Sequence, residues 1–295
     1  MKTNSILTII LLLAFHLNAQ TINQEIIVEG EAPYLLGKID KSGLETDNYS
    51  SWFNTNFEDY KPNQKLVTDI SSDLKNYSIT LFMGTWCGDS KKEIPRLYKV
   101  LEACNFPMDQ LTVIAVSSSS SLYKQSPQHE EAGLNIHRVP TIIFYKNGKE
   151  INRIVEHPIT NFEEDIKQII TSNNYKSNYQ IVSKIGAVLK KKGIKGLEKK
   201  SEKILKQFDG KVTSMYELNT YGRVLYSKGK TEEAIAVFKF NTKLFPKEPR
   251  TYMSLANTLG VNGKKDEAIK VLEKALEIHP ENEDLKENLE VIKSH

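Results

Sequence analysis

A seven-residue run recurs at a fixed distance in the C-terminal part of the chain, and that recurrence restricts the fold more than any other feature. Gly229-Lys230-Thr231-Glu232-Glu233-Ala234-Ile235 returns 34 residues later as Gly263-Lys264-Lys265-Asp266-Glu267-Ala268-Ile269. At the same shift Leu225 meets Leu259, Gly222 meets Ala256, Phe238 meets Leu272 and Pro246 meets Pro280. A period of this length marks a unit that cannot bury its apolar face alone and must stack on its neighbours. The small residues Gly222, Ala234, Ala256 and Ala268 let paired helices approach, and each proline ends a second helix.

Two units are fewer than the three usually needed for a continuous core. Residues 181–189 and 194–208, divided by Gly193, read as a divergent third pair, and 281–293 as a polar capping helix. The period and pattern resemble the tetratricopeptide repeat. That resemblance implies an all-α domain over residues 180–295 that binds protein clients or partner peptides in its grooves.

A different signal lies in the middle of the chain. Thr85-Trp86-Cys87-Gly88-Asp89-Ser90 joins the apolar run 79–83 to a helical pattern over 91–104. A cysteine at a strand-to-helix corner sits where the first helical N–H groups are unpaired and the helix dipole is positive, which favours a thiolate. Trp86 shields one side of the sulfur and offers an apolar surface. Trp86-Cys87-Gly88 resembles the W-C-G-P-C corner of the thioredoxins, with Asp89 in place of proline and Ser90 in place of the second cysteine. Thioredoxins also carry a buried acid six residues before the first cysteine, where this chain has Leu81.

The resemblance continues downstream. Pro95 falls inside the helix where thioredoxins have a kinking proline, and residues 111–116 read as the next strand. Arg138-Val139-Pro140-Thr141 matches the loop whose proline is cis and faces the active cysteine. Residues 142–145 and 151–155 flank Asn147-Gly148, the strongest short hairpin signal. Residues 161–170 read as a last helix, with Phe162, Ile166, Ile169 and Ile170 on one face. The implied class is an α/β thioredoxin-like domain, a central mixed sheet flanked by helices, followed by the all-α repeat domain. Upstream, residues 26–28 and 34–40 are strand candidates, Ser42-Gly43 a turn, and 49–60 and 63–75 helices. These form an N-terminal extension packed on the domain.

Charged residues make up 26% of the 295, with a net charge of +3, which suits a soluble globular chain of two domains. Residues 1–19 read as a signal peptide: Lys2, an apolar run over 6–15, and Leu17-Asn18-Ala19 before a cut at Gln20. That run is short of the roughly 20 residues that span a bilayer. No stable membrane span is therefore expected after its removal, and the mature protein is expected in a bacterial periplasm. The domain limits follow as 20–172 for the α/β domain, 173–179 for a polar linker and 180–295 for the repeats.

The chain has two cysteines, and export invites a disulfide. Cys87 and Cys104 stand at opposite ends of one expected helix, roughly 20 Å apart at about 1.5 Å per residue, far beyond disulfide reach. Cys104 shares a face with Ile94, Leu97 and Leu101 and reads as core. His129, His137 and His157 could each approach Cys87 and act as a base, but they read as exposed loop histidines, with no spacing that makes a metal site, and no cofactor is implied. Residues 117–121 are five serines and read as a flexible loop. Residues 171–230 hold fourteen Lys or Arg against four Asp or Glu. An anionic partner or a membrane surface would suit such an excess, but it reads as a solvated helical face, and the absence of aromatics interleaved with Lys190 to Lys206 argues against a nucleic-acid surface.

Two functions compete at this stage. In the first, Cys87 is the nucleophile of thiol–disulfide exchange on protein clients and Ser90 hydrogen-bonds its sulfur. Trp86, Val139 and Pro140 hold the client, and an external thiol completes the reaction that Ser90 cannot. In the second, a degenerate thioredoxin fold and its repeats form a non-enzymatic scaffold.

Overall fold

In the computed structural model, residues 21–172 and 174–294 are described; the expected signal segment lies outside them. The N-terminal half is built on one six-stranded mixed sheet. Its strands are β1 (Gln24–Ile26), β2 (Tyr34–Ile39), β3 (Ser78–Met83), β4 (Leu111–Ala115), β5 (Thr141–Lys146) and β6 (Lys149–Val155). They lie in the order β1-β2-β4-β3-β5-β6, with β3 parallel to β4 and every other pair antiparallel. The central strand β3 is buried on both faces, which is why residues 79–83 read as nearly continuous apolar sequence.

The two faces of the sheet are covered differently. Ile79, Leu81 and Met83 point into a core shared with the helices α1 (Lys41–Leu44), α2 (Asp47–Asp59), α3 (Gln64–Leu74), α4 (Gly88–Ala103) and α5 (Phe162–Thr171). Phe82, Ile114 and Ile143 point the other way, into a smaller cluster with Val116, Ile136 and Val139 from the long 116–140 connection. Leu81 is fully buried among apolar neighbours.

Local chemistry explains the helix ends. Asn63 accepts hydrogen bonds from the N–H groups of Lys65 and Leu66 at the start of α3, and Asn161 caps α5 through Glu164 N–H. The aromatic stripe of α2 is core, with Phe53 stacked on Phe57 and edge-on to Tyr98 of α4. Two N-terminal expectations are corrected. The first strand ends at Ile26, leaving Ile27 78% exposed, and Ser42-Gly43 lies in a single helical turn capped by Asp40.

The C-terminal half is helical: α6 (Gln180–Phe208), α7 (Tyr216–Ser227), α8 (Thr231–Leu244), α9 (Pro249–Gly260), α10 (Lys265–Ile278) and α11 (Glu283–Ser294). Gly193 interrupts α6 with φ 61 and ψ −167, so the segment is a pair of helices joined at one left-handed residue. One apolar cluster runs from Ile181 to Leu289 through every helix. Gly222 is required by packing, since a Cβ there would lie 2.5 Å from the Phe238 ring.

The segment before α6 holds to the sheet. Tyr175 is buried in the α/β core and donates to Asp165, Asn152 donates to the Tyr175 carbonyl, and Asn178 donates to the carbonyls of Val155 and His157. Among the described residues, no helix is long and apolar enough to cross a membrane.

Candidate functional site

The corner between β3 and α4 is shaped by close backbone approach. A Cβ at Gly84 would stand 2.5 Å from the Trp86 ring, so only glycine lets the indole fold back there. The indole Nε1 donates to the Val116 carbonyl at 2.8 Å, and the buried Thr85 hydroxyl accepts from Leu35 N–H at 3.0 Å. Cys87 N–H donates to Gly84 O at 2.9 Å, and Cys87 O accepts the first helical bond, from Lys91 N–H, at 3.0 Å. Cys87 is thus the N-cap residue of α4, in extended conformation, and its side chain makes no capping bond.

The sulfur is half-buried and its S–H points to the Val139 carbonyl at 3.3 Å. The Val139–Pro140 peptide is cis. Both residues are buried, and the loop is pinned by Thr141 Oγ1 donating to Arg138 O and by Glu156 N–H donating to Pro140 O, each at 2.7 Å. Trp86, Cys87, Val139 and Pro140 therefore converge.

Ser90 does not join them. It is fully buried, and its hydroxyl accepts from Gly84 N–H at 3.2 Å, so it braces the corner and makes no bond to the Cys87 sulfur. The expected Ser90–sulfur bond is replaced by the one to Val139. Asp89 is exposed in the first turn of α4. Cys104 is the C-cap of α4 and is buried, and burial pushes its thiol pKa up; both cysteines are free.

Several polar groups around the corner were not anticipated. Lys124 is 5% exposed, with its ammonium 5.1 Å from the Trp86 ring centre and 4.7 Å from that of Tyr123. Burial pushes its pKa down. Arg138 Nη1 pairs with Glu156 at 3.1 Å, its Nη2 donates to the Tyr216 carbonyl of α7 at 3.1 Å, and its guanidinium covers the Tyr179 ring. Tyr179 also donates to Glu156. Burial raises the Glu156 pKa, with Arg138 opposing and Asp89 adding to the rise; Glu217 of α7 is raised by burial too. A lysine beside a tyrosine after five serines carries no sequence signal of burial.

Of the three histidines, His137 is not exposed. It lies between Tyr179 and Tyr221 with ring centres 5.7 and 6.0 Å away, and burial lowers its pKa to about 3. It lines a cleft of about 890 Å³ between the 129–137 loop and helices α6 to α8. His129 stays exposed, 3.6 Å from Glu131. The serine run is not loose at its ends: Ser117 and the 124–125 backbone exchange two hydrogen bonds, Ser117 N–H to Gln125 O at 2.9 Å and Lys124 N–H to Ser117 O at 3.0 Å. Among the described residues, no cluster of three His, Cys, Asp or Glu groups is placed to hold a metal ion.

The chain is thus a mixed α/β unit carrying one half-buried thiol at a helix N-terminus, joined to a stack of helical hairpins. A family model for the tetratricopeptide repeat matches residues 249–282, the segment of α9 and α10. No curated protein matches the chain.

Proposed function

We propose that residues 20–172 form a thioredoxin-like domain, that residues 180–295 recruit protein partners, and that Cys87 performs thiol–disulfide exchange on those partners. The observation that carries this reading is the convergence of the Cys87 sulfur with the cis Val139–Pro140 loop, 3.3 Å from the Val139 carbonyl. The Cys87 thiolate attacks one sulfur of a client disulfide, forming a mixed disulfide and expelling the other client sulfur as a thiolate, which takes up a proton. An external thiolate then attacks the mixed disulfide and releases the Cys87 thiolate. Trp86 supplies the apolar wall, and the Val139 carbonyl accepts from a client strand once the sulfur is charged. In this reading residues 1–19 direct export to a periplasm, 173–179 link the two domains, and no cofactor is needed.

A scaffold reading is favoured by one observation: the position of a resolving cysteine holds Ser90, buried and committed to Gly84. The two are separated by incubating the purified chain with glutathione disulfide and with insulin, then resolving the products without reductant. Exchange gives one adduct per chain, lost in Cys87→Ala and kept in Cys104→Ala. Absence of adducts, with partner binding intact in Cys87→Ala, supports the scaffold instead.

A further inference from the structure

Helix α7 lies along the thiol corner and touches it at both ends. At its start the Tyr216 carbonyl accepts from Arg138, the residue before Val139. At its end the Ser227 carbonyl accepts from Gln125 Nε2 at 3.2 Å, and the Ser227 hydroxyl lies 3.3 Å from the Tyr123 carbonyl. Between these, the Arg223 guanidinium stands 4.9 Å from the centre of the Tyr123 ring. Tyr216, Arg223 and Ser227 fall on one stripe of the helix. Tyr123 in turn packs on Trp86, with ring centres 6.5 Å apart. Contacts therefore run without a break from Trp86, next to Cys87, through Tyr123 to Arg223.

Two cations meet on the Tyr123 ring. From inside the fold, the Lys124 ammonium lies 4.7 Å from the same ring centre. Like charges on one ring repel, and the aromatic face offsets only part of that cost. Among the described residues, neither Arg223 nor Lys124 has a carboxylate within ion-pair distance. Glu156 is committed to Arg138, Glu217 follows Tyr216 at the start of α7, and Asp89 is exposed in the first turn of α4. Arg223 is exposed and open to a ligand, while Lys124 adds positive field from a site that salt screens little.

We infer that Arg223 is a client-specificity residue and that the client of Cys87 is an extended peptide segment with a carboxylate two residues from its reacting cysteine. This rests on the exchange reading above and names the chemistry of its substrate. A client strand that pairs with Val139 passes the Trp86 wall. A residue two positions from the cysteine stands about 7 Å along such a strand and on the same face as the reacting side chain. On the Trp86 side, a glutamate there extends towards Arg223 across the Tyr123 ring. The helical unit then selects clients at the thiol itself as well as in its repeat grooves.

The test uses the full chain and short peptides that carry Glu or Lys two residues before or two residues after one cysteine, activated as its 2-pyridyl disulfide. The Cys87 thiolate attacks the peptide sulfur, forms the mixed disulfide and expels pyridine-2-thione, whose absorbance gives the rate. Dithiodipyridine, small and uncharged, reports the reactivity of the sulfur alone. At low ionic strength the wild type is expected to react about fivefold faster with Glu than with Lys at one of the two positions, and the ratio falls towards one in high salt. Arg223→Lys keeps the ratio, Arg223→Met lowers it to about twofold or less, and Arg223→Glu removes it. Each ratio is taken within one variant, so a general loss of reactivity does not mimic the effect. A wild-type ratio near one at both positions, or a ratio unchanged in Arg223→Met, overturns the inference and leaves the exchange reading standing. A chain whose Cys87 does not react with dithiodipyridine removes the exchange reading and this inference with it.

Discussion

Burial of His137 between Tyr179 and Tyr221 lowers its pKa from 6.5 to about 3. The unfolded chain therefore takes up a proton in the window between those values that the folded chain refuses. Stability contributed by the neutral ring is present above pH 6.5 and is lost as the pH falls through the window, by up to about 1.4 kcal/mol per pH unit. Glu156 and Glu217 act in the opposite sense, because burial raises their folded pKa values and protonation then favours the fold. Comparison with His137→Phe isolates the imidazole. Its Nδ1 lies 3.2 Å from the Asn135 carbonyl, so that nitrogen carries the hydrogen, and Nε2 is buried without a partner. The phenyl ring removes one hydrogen bond and one unsatisfied acceptor, so the change at pH 7.5 is expected to be within about 1 kcal/mol. Urea midpoints taken from pH 7 to pH 4 should fall less steeply in the variant, and equal slopes would refute the assignment.

At the scale of elements, the same substitution has opposite signs at two glycines of the helical stack. Gly222→Ala in α7 gains about 1 kcal/mol of helix propensity, but its Cβ would stand 2.5 Å from the Phe238 ring. Overpacking of that kind costs about 1–3 kcal/mol, so net destabilisation is expected. At Gly260 the nearest atoms to an added Cβ are those of Ile292 at 3.7 Å, ordinary contact, and Gly260→Ala should stabilise by a few tenths of a kcal/mol up to about 1. Thermal midpoints of the two variants check both signs. The repeat made this pairing legible, because Gly222 and Phe238 recur one period later as Ala256 and Leu272. Strands β3 to β6 and helices α2 to α5 were legible for similar local reasons: apolar runs, apolar residues at helical spacing and Asn147-Gly148. Trp86, Cys87, Val139 and Pro140 could be read as a group from the resemblance. Ser90 was misassigned because its partner, Gly84 N–H, is a backbone group that no side-chain pattern advertises. Lys124, Glu156 and His137 were missed because their burial comes from contacts with α7 and Tyr179, which are distant in sequence.

For the whole molecule, Arg138 is one residue that both halves share, through Glu156 on one side and the Tyr216 carbonyl of α7 on the other. Arg138→Ala leaves the half-buried Glu156 without its cation, a change expected to cost about 1–2 kcal/mol. The wild-type chain should melt in one calorimetric transition and the variant in two, with the helical half separating from the α/β half. An unchanged single transition would show that Gln125, Ser227 and the cleft contacts suffice to couple them. The segment that leads into α6 has a further consequence. β1 closes one side of the sheet with only three residues, and at the other side Asn152 and Asn178 bind the 174–178 segment along β6. An open strand is a template on which another chain can add itself. Here one margin is only three residues long, and at the other the Asn178 amide takes the Val155 carbonyl at the end of β6. The passage between the two halves therefore narrows the stretch of β6 on which a second chain could add itself.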